Sequence, residues 1–215
     1  QLSYSEIILP VGISFYTFQQ IAFLIDTGRN QNKEITFIHY LTFVTFFPQL
    51  IAGPIVFYKE VKNSIDFFLN RRFFYYRNLS TGIFIFVLGI FKKVFIADNL
   101  ASFNDNAYLN YLDLNSFEIL LFQISYTFQI FFDFSGYTDM AIGLALLFGF
   151  RLPINFDDPL KTSSIIDFWQ KWHITMSRFF RIYIFFPVAF KLESNYNFSN
   201  PINNFILTFL TPITL

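Results

Sequence analysis

Cysteine is absent from this chain of 215 residues. Disulfides, thiolate nucleophiles and cysteine-ligated metals are therefore excluded. Histidine is scarce as well: His39 and His173 are the two, and two imidazoles so far apart in sequence are a poor start for a zinc site. Neither a metal nor a bound cofactor is expected. Charge is the third shortage, because Lys, Arg, Asp and Glu make up 14% of the chain, with 15 residues of each sign and a formal net charge of zero. No basic tract stands out, so nucleic acid is not an expected partner. Neither G-x-G-x-x-G nor the P-loop signature occurs, which removes those two routes to a nucleotide cradle.

What fills the space is apolar. Hydrophobic residues are 54% of the chain and 35 are phenylalanine, too many for an ordinary water-soluble domain. The fold class expected is all-α: a polytopic membrane protein, with a bundle of transmembrane helices joined by re-entrant and interfacial ones, as a single membrane domain over residues 1–215. The lipid bilayer is its first partner. Position 1 is Gln, and Leu215 lies inside an apolar run, so the chain reads as the central part of a longer protein.

About 20 apolar residues cross the hydrocarbon, which gives a first candidate span at 7–25, closed by Asp26-Thr27-Gly28, and a second at 36–57. Pro48 and Gly53-Pro54 break the second, so the irregular stretch from Phe47 to Pro54 should be buried in protein. Residues 59–77 read as a polar connection carrying Lys59, Lys62, Arg71, Arg72 and Arg77. Such a concentration of cations next to a span argues for the cytoplasmic side. A third span is expected at 79–97, with Lys92 and Lys93 either snorkelling to the interface, the favoured reading, or lining a polar cavity. Residues 98–116 carry aspartates and no Lys or Arg, and read as an outer loop. A fourth span follows at 117–134. A shorter apolar piece at 138–150 reads as re-entrant or tilted. Between these two, Asp133 and Asp139 are either functional acids or a satisfied structural pair, capping the next helix through Thr138 or Asp139.

The stretch from Ser164 to Pro187 holds both tryptophans and one histidine. Ser164 and Asp167 fit the N-cap and N3 positions of a capping box, and Pro187 gives a stop. At helical spacing Trp169, Trp172, His173, Met176, Ser177 and Phe180 form one stripe, and Lys171, Thr175 and Arg178 another. The histidine sits on the apolar stripe. It serves either as a packing residue or as an acid-base group. Residues 191–204 read as a loop, and 205–215 begin a further apolar segment.

The wording Asp167-Phe168-Trp169-x-x-Trp172-His173-Ile174-Thr175-Met176-Ser177 resembles a signature of the membrane-bound O-acyltransferases. Within them it is similar to the bacterial branch that acylates cell-surface polymers such as alginate and teichoic acid. Four further blocks are similar in order: Leu9 to Phe18, Phe47 to Pro54, Gly89 to Leu100 and Asp133 to Met140. The resemblance implies a multi-spanning enzyme of the bacterial inner membrane. Its helices would surround a tunnel with a histidine deep inside, where an acyl group passes from a thioester donor to a hydroxyl. The donor implied is acetyl-CoA or an acyl carrier protein, and the acceptor an exported polysaccharide or a periplasmic acetyltransferase partner.

By the same resemblance His173 is the catalytic candidate that can be placed here, with Asp167, Trp169, Trp172, Ser177, Asp133 and Asp139 lining or supporting the tunnel. Lys171, Arg178 and Arg181 would hold the phosphates of a pantetheine-bearing donor, or bind anionic lipid headgroups instead. The family's principal histidine, in a W-H-G motif on the next span, would fall beyond Leu215. The P-L-G-G-N-R stretch expected after Pro187 is replaced by Val188 to Ser194. Acetyl and D-alanyl transfer both remain open, and so do two readings of another class: a transporter built on Lys92, Lys93, Asp133 and Asp139, and a non-catalytic scaffold for polymer export.

Overall fold

The computed structural model describes residues 12–29, 35–70 and 78–195, and the chain is all-α. Its largest feature is an antiparallel hairpin. Helix α5 (Leu79–Ile90) passes through a π-helical segment, Phe91–Ala97, into α6 (Asp98–Leu109). That continuous stretch, Leu79–Leu109, and the 32-residue α7 (Ser116–Leu147) are long and apolar enough to cross a membrane. Local signals fix both ends of α7. Asn115 Oδ1 accepts the N–H groups of Phe117 and Glu118, and Glu118 reaches back to the Asn115 N–H, which completes a capping box. At the far end Gly149 has φ 82°, and Phe150 and Gly149 donate to the carbonyls of Ala145 and Leu146. That is a Schellman stop, where the left-handed residue is best a glycine.

The sequence reading is corrected here in two places. Residues 98–116 are not a loop, since α6 runs to Leu109. Residues 117–134 and 138–150 are not two elements, because α7 continues through Ser135-Gly136. The glycines of the two helices serve packing. A Cβ on Gly143 would stand 2.7 Å from the carbonyl oxygen of Gly82, and one on Gly136 would stand 2.8 Å from that of Gly89. Small residues at these two levels let the backbones of α5 and α7 touch, as membrane helices do when packing rather than the hydrophobic effect drives their association.

The hairpin carries its own counter-ions. Lys92 Nζ lies 2.6 Å from Asp139 Oδ2, and Lys93 Nζ lies 2.8 Å from Asp133 Oδ1 and also pairs with Asp98. Whether they snorkel or line a cavity, these lysines are paired with acids. An ammonium in a low-dielectric setting is far less costly beside a carboxylate than alone, and the wide π turn lets neighbouring lysines both meet acids. Nor do Thr138 and Asp139 cap a following helix. Thr138 Oγ1 donates to the Phe134 carbonyl within the continuous α7.

Around the hairpin lie α1 (Ile13–Gly28), α2 (Phe37–Thr45), α3 (Phe47–Leu50) and α4 (Tyr58–Asn70). The start of the first candidate span lies outside the described residues, and its expected polar stop is helical, with Asp26 buried in α1. The single span expected at 36–57 does not form. Pro48 sits in the first turn of α3, where no N–H is needed, and the chain is irregular from there to Phe57. As expected of such backbone, Pro48, Gln49, Gly53 and Pro54 are buried, although Phe47 and Ile51 are exposed. The polar connection expected at 59–77 is in its first part the helix α4. Tyr58, Val61 and Ile65 form its buried stripe and join Phe23, Phe43, Val56, Ala145 and Phe150 in one core. Residues 71–77, with Arg71, Arg72 and Arg77, lie outside the described residues.

The tryptophan stretch starts as predicted, with Asp167 N–H donating to Ser164 Oγ at 3.1 Å, but it is not one helix. It divides into α8 (Ile165–Lys171) and α9 (Ile174–Phe180), then a π-helical segment, Arg181–Phe185, and α10 (Phe186–Asn195). Pro187 does not stop it. A proline frees the carbonyl four residues back, and the wide turn immediately before Pro187 absorbs that loss. Residues 191–195 are therefore helical rather than loop, and residues 196–215 lie outside the described residues.

Candidate functional site

The break between α8 and α9 builds the site. His173 has φ 46°, a left-handed conformation that a non-glycine residue adopts at a cost of ~1–3 kcal/mol. The kink turns the imidazole inward, and 6% of the residue is exposed. Aromatic rings enclose it. Phe15 of α1 stacks on it with centroids 6.1 Å apart, Phe134 of α7 meets it edge-on at 4.8 Å, and Phe156 lies at 6.4 Å.

Phe156 and Asn155 arrive on the irregular backbone that follows α7. From Phe134 to Phe148 α7 rises about 21 Å. The chain after Gly149 covers a similar distance in six or seven extended residues, which brings Phe156 back beside Phe131 and Phe134. Asn155, 1% exposed, then takes over the capping of α9. Its carbonyl accepts the Ile174 N–H at 3.0 Å. Its Oδ1 accepts from Thr175 N at 3.2 Å, Thr175 Oγ1 at 2.9 Å and His173 Nδ1 at 3.0 Å. Thr175 Oγ1 in turn accepts the Ile55 N–H at 3.0 Å, so a chain of hydrogen bonds joins the irregular Gly53-Pro54-Ile55 stretch to the histidine.

No charged group appears among these neighbours, and burial alone lowers the His173 pKa from 6.5 to about 4. The imidazole is neutral at physiological pH. Among the described residues, buried polar atoms without a hydrogen-bond partner include Asn155 Nδ2, Arg178 Nε, Arg181 Nε, and both Nε2 and Oε1 of Gln19. Gln19 follows Phe15 by one turn of α1. Unsatisfied buried groups are rare and call for a function or a ligand.

A family model, membrane-bound O-acyltransferase, matches residues 13–200. The chain belongs to the membrane-bound O-acyltransferase family. It is 44% identical over 209 residues to the peptidoglycan O-acetyltransferase of Helicobacter pylori, covering 86% of this chain and 40% of that protein. It is 40% identical over 186 residues to the probable alginate O-acetylase AlgI of Pseudomonas aeruginosa, covering 86% and 35% respectively. A teichoic acid D-alanyltransferase of Bacillus subtilis is 31% identical over 190 residues, covering 84% and 46%. The chain thus spans less than half the length of these relatives.

In this membrane-bound O-acyltransferase chain the sequence candidates fall into three places. His173 and Trp172 come together, with Trp172 stacked on Phe168 and edge-on to Phe156 at 5.1 Å. Trp169 is exposed, Ser177 is half-buried, and Asp167 sits 3.5 Å from Lys171 on the outside of α8. Asp133 and Asp139 lie in the lysine pairs of the hairpin. Arg178 forks onto Glu60 of α4, lies 4.5 Å above the Phe57 ring, and so enters the site already paired. Arg181 is half-buried. Sequence reading missed Asn155, Gln19 and Phe15. A polar residue inside an otherwise apolar helix was available as a signal for Gln19, whereas Asn155 looked like any loop asparagine.

Proposed function

We propose that this chain is the central part of an inner-membrane enzyme that moves an acetyl group from a thioester donor to hydroxyls of an exported cell-surface polysaccharide. The observation that carries the reading is the neutral, deeply buried His173, held at a strained backbone position with one ring nitrogen fully committed. A hydroxyl attacks a thioester poorly unless its proton has an acceptor and its oxygen is oriented. Here His173 Nε2 accepts the hydrogen bond and then the single proton of the attacking hydroxyl, and the second histidine that the resemblance implies receives that proton from it. The oxygen adds to the thioester carbonyl, the C–S bond breaks, and the proton leaves with the thiolate. Trp172 and the surrounding phenylalanines keep water from competing as acceptor. Asp133 and Asp139 hold the hairpin, and with it Phe134, in register beside the histidine.

The donor is acetyl-CoA or an acylated carrier protein, with Lys171 and Arg181 as the phosphate contacts. Arg178 joins them by supporting the wall through Glu60. The similarity to a peptidoglycan O-acetyltransferase and to probable alginate O-acetylases supports an acceptor of that polysaccharide class. The test uses membranes holding this chain extended to the length of its relatives, supplied with radiolabelled acetyl or D-alanyl thioesters and with polysaccharide acceptors. Label in the polymer from the acetyl donor is expected. Label from the D-alanyl donor alone would replace the acetyl reading, and no transfer from either, with polymer export still dependent on the protein, would favour a scaffold.

A further inference from the structure

One oxygen atom decides the chemistry of His173. Asn155 Oδ1 receives the Thr175 backbone N–H at 3.2 Å, and a backbone N–H only donates. The atom facing it must therefore be the oxygen of the amide, not its nitrogen. That same oxygen lies 3.0 Å from His173 Nδ1. An amide oxygen only accepts, so Nδ1 carries the proton and Nε2 keeps its lone pair. Free imidazole favours the opposite arrangement.

We propose that Asn155 is a positioning residue for His173: its Oδ1 holds the imidazole as the Nδ1–H tautomer, so that Nε2 remains a hydrogen-bond acceptor for the attacking hydroxyl. This rests on the acyl-transfer reading of the same site. The choice of asparagine over aspartate matters as much as the geometry. A carboxylate here would offer the same acceptor but add a charge 3 Å from the ring, favour the imidazolium, and turn Nε2 into a donor. The groups packed on the ring are Phe15 from α1, Phe134 from α7, Phe156 and Asn155 from the irregular stretch after α7, and Thr175 from α9. None of these described groups is charged.

Asn155 also caps α9, so loss of activity alone would not separate positioning from folding. Three variants of the extended protein do. Asn155→Leu removes the acceptor, Asn155→Asp keeps it and adds charge, and Thr175→Val weakens the cap while leaving the His173 to Asn155 bond. The readouts are the nitrogen-15 resonances of His173, which report the tautomer without any turnover, and the pH profile of acetyl transfer. In the native protein Nδ1 should be protonated and Nε2 bare from pH 6 to 8. Asn155→Leu should move the proton largely to Nε2 and lower kcat at least tenfold with donor KM unchanged. Asn155→Asp should leave melting temperature near native and move the acid limb of the profile up by at least one pH unit. Thr175→Val should keep the native tautomer.

The proposal is overturned if His173 shows the Nε2–H tautomer in the native protein, if Asn155→Leu leaves the tautomer unchanged, or if the acid limb of Asn155→Asp does not move. Should the resonances behave as expected while no acyl group is transferred from any donor, the positioning stands and the acyl-transfer reading fails.

Discussion

Gly89 of α5 and Gly136 of α7 meet backbone to backbone: a Cβ on Gly89 would stand 2.6 Å from the Gly136 carbonyl oxygen, and one on Gly136 would stand 2.8 Å from that of Gly89. Immediately beside this contact Lys92 and Lys93 reach Asp139 and Asp133. The close approach is what allows both ion pairs to form across the hairpin.

Gly136→Ala should therefore act on the fold first. The methyl group meets backbone atoms that cannot swing aside, and forcing the helices apart costs ~1–3 kcal/mol. A lower melting temperature in detergent is expected, with faster proteolysis of the α6 to α7 turn. A melting temperature equal to native would mean that the helices do not touch here.

Asp139→Asn leaves Lys92 facing a neutral amide inside the hairpin. An uncompensated ammonium at such a position costs about 2–3 kcal/mol. Membrane accumulation should fall and should recover when Lys92→Gln is added, because the pair is then neutral. If the double variant is no better than the single, the ion pair is not what the hairpin needs.

Gln19 offers the sharpest contrast between stability and activity. Among the described residues neither polar atom of this 1% exposed side chain has a partner, so Gln19→Leu should raise stability by about 1–2 kcal/mol. The same variant should slow acyl transfer if the amide waits for a ligand amide in the tunnel. Higher stability with unchanged transfer would make Gln19 a packing residue.

The low pKa of His173 links stability to pH. Its folded value, about 4, lies below the ordinary 6.5, so between these values the unfolded chain binds the proton and the folded one does not. Stability thus falls as pH drops from 6.5 towards 4, by on the order of 3 kcal/mol in all, and the group contributes nothing above about pH 7. Melting temperatures from pH 7.5 to 4.5 should decline more steeply for the native protein than for His173→Gln. Equal slopes would place the imidazole in a more polar setting than the one described.

Much of this was legible in the residues because the signals were local. Helix class followed from composition, the start of α8 from Ser164 and Asp167, and the burial of Pro48, Gln49, Gly53 and Pro54 from the rule that irregular backbone needs protein around it. What was hidden depends on partners distant in sequence. His173 read as part of a helical stripe, yet it stands at a kink whose cap, Asn155, comes from a separate stretch. The stretch from Ser135 to Tyr137 read as a gap between two apolar pieces, with Asp133 and Asp139 on either side. In α7 Gly136 faces another backbone, a use visible only once α5 is alongside. Arg178 looked free to bind phosphate until Glu60, far away in the chain, was seen holding it.

The measurement closest to the central claim is acetyl transfer to polysaccharide by His173→Ala in the extended protein, in membranes, at matched protein level and with the melting temperature recorded alongside. A fall of at least about a hundredfold with a melting temperature near native is the predicted result, as expected when a group that orients the reacting proton is lost. Full activity in His173→Ala would contradict the account and leave the buried imidazole as a packing residue.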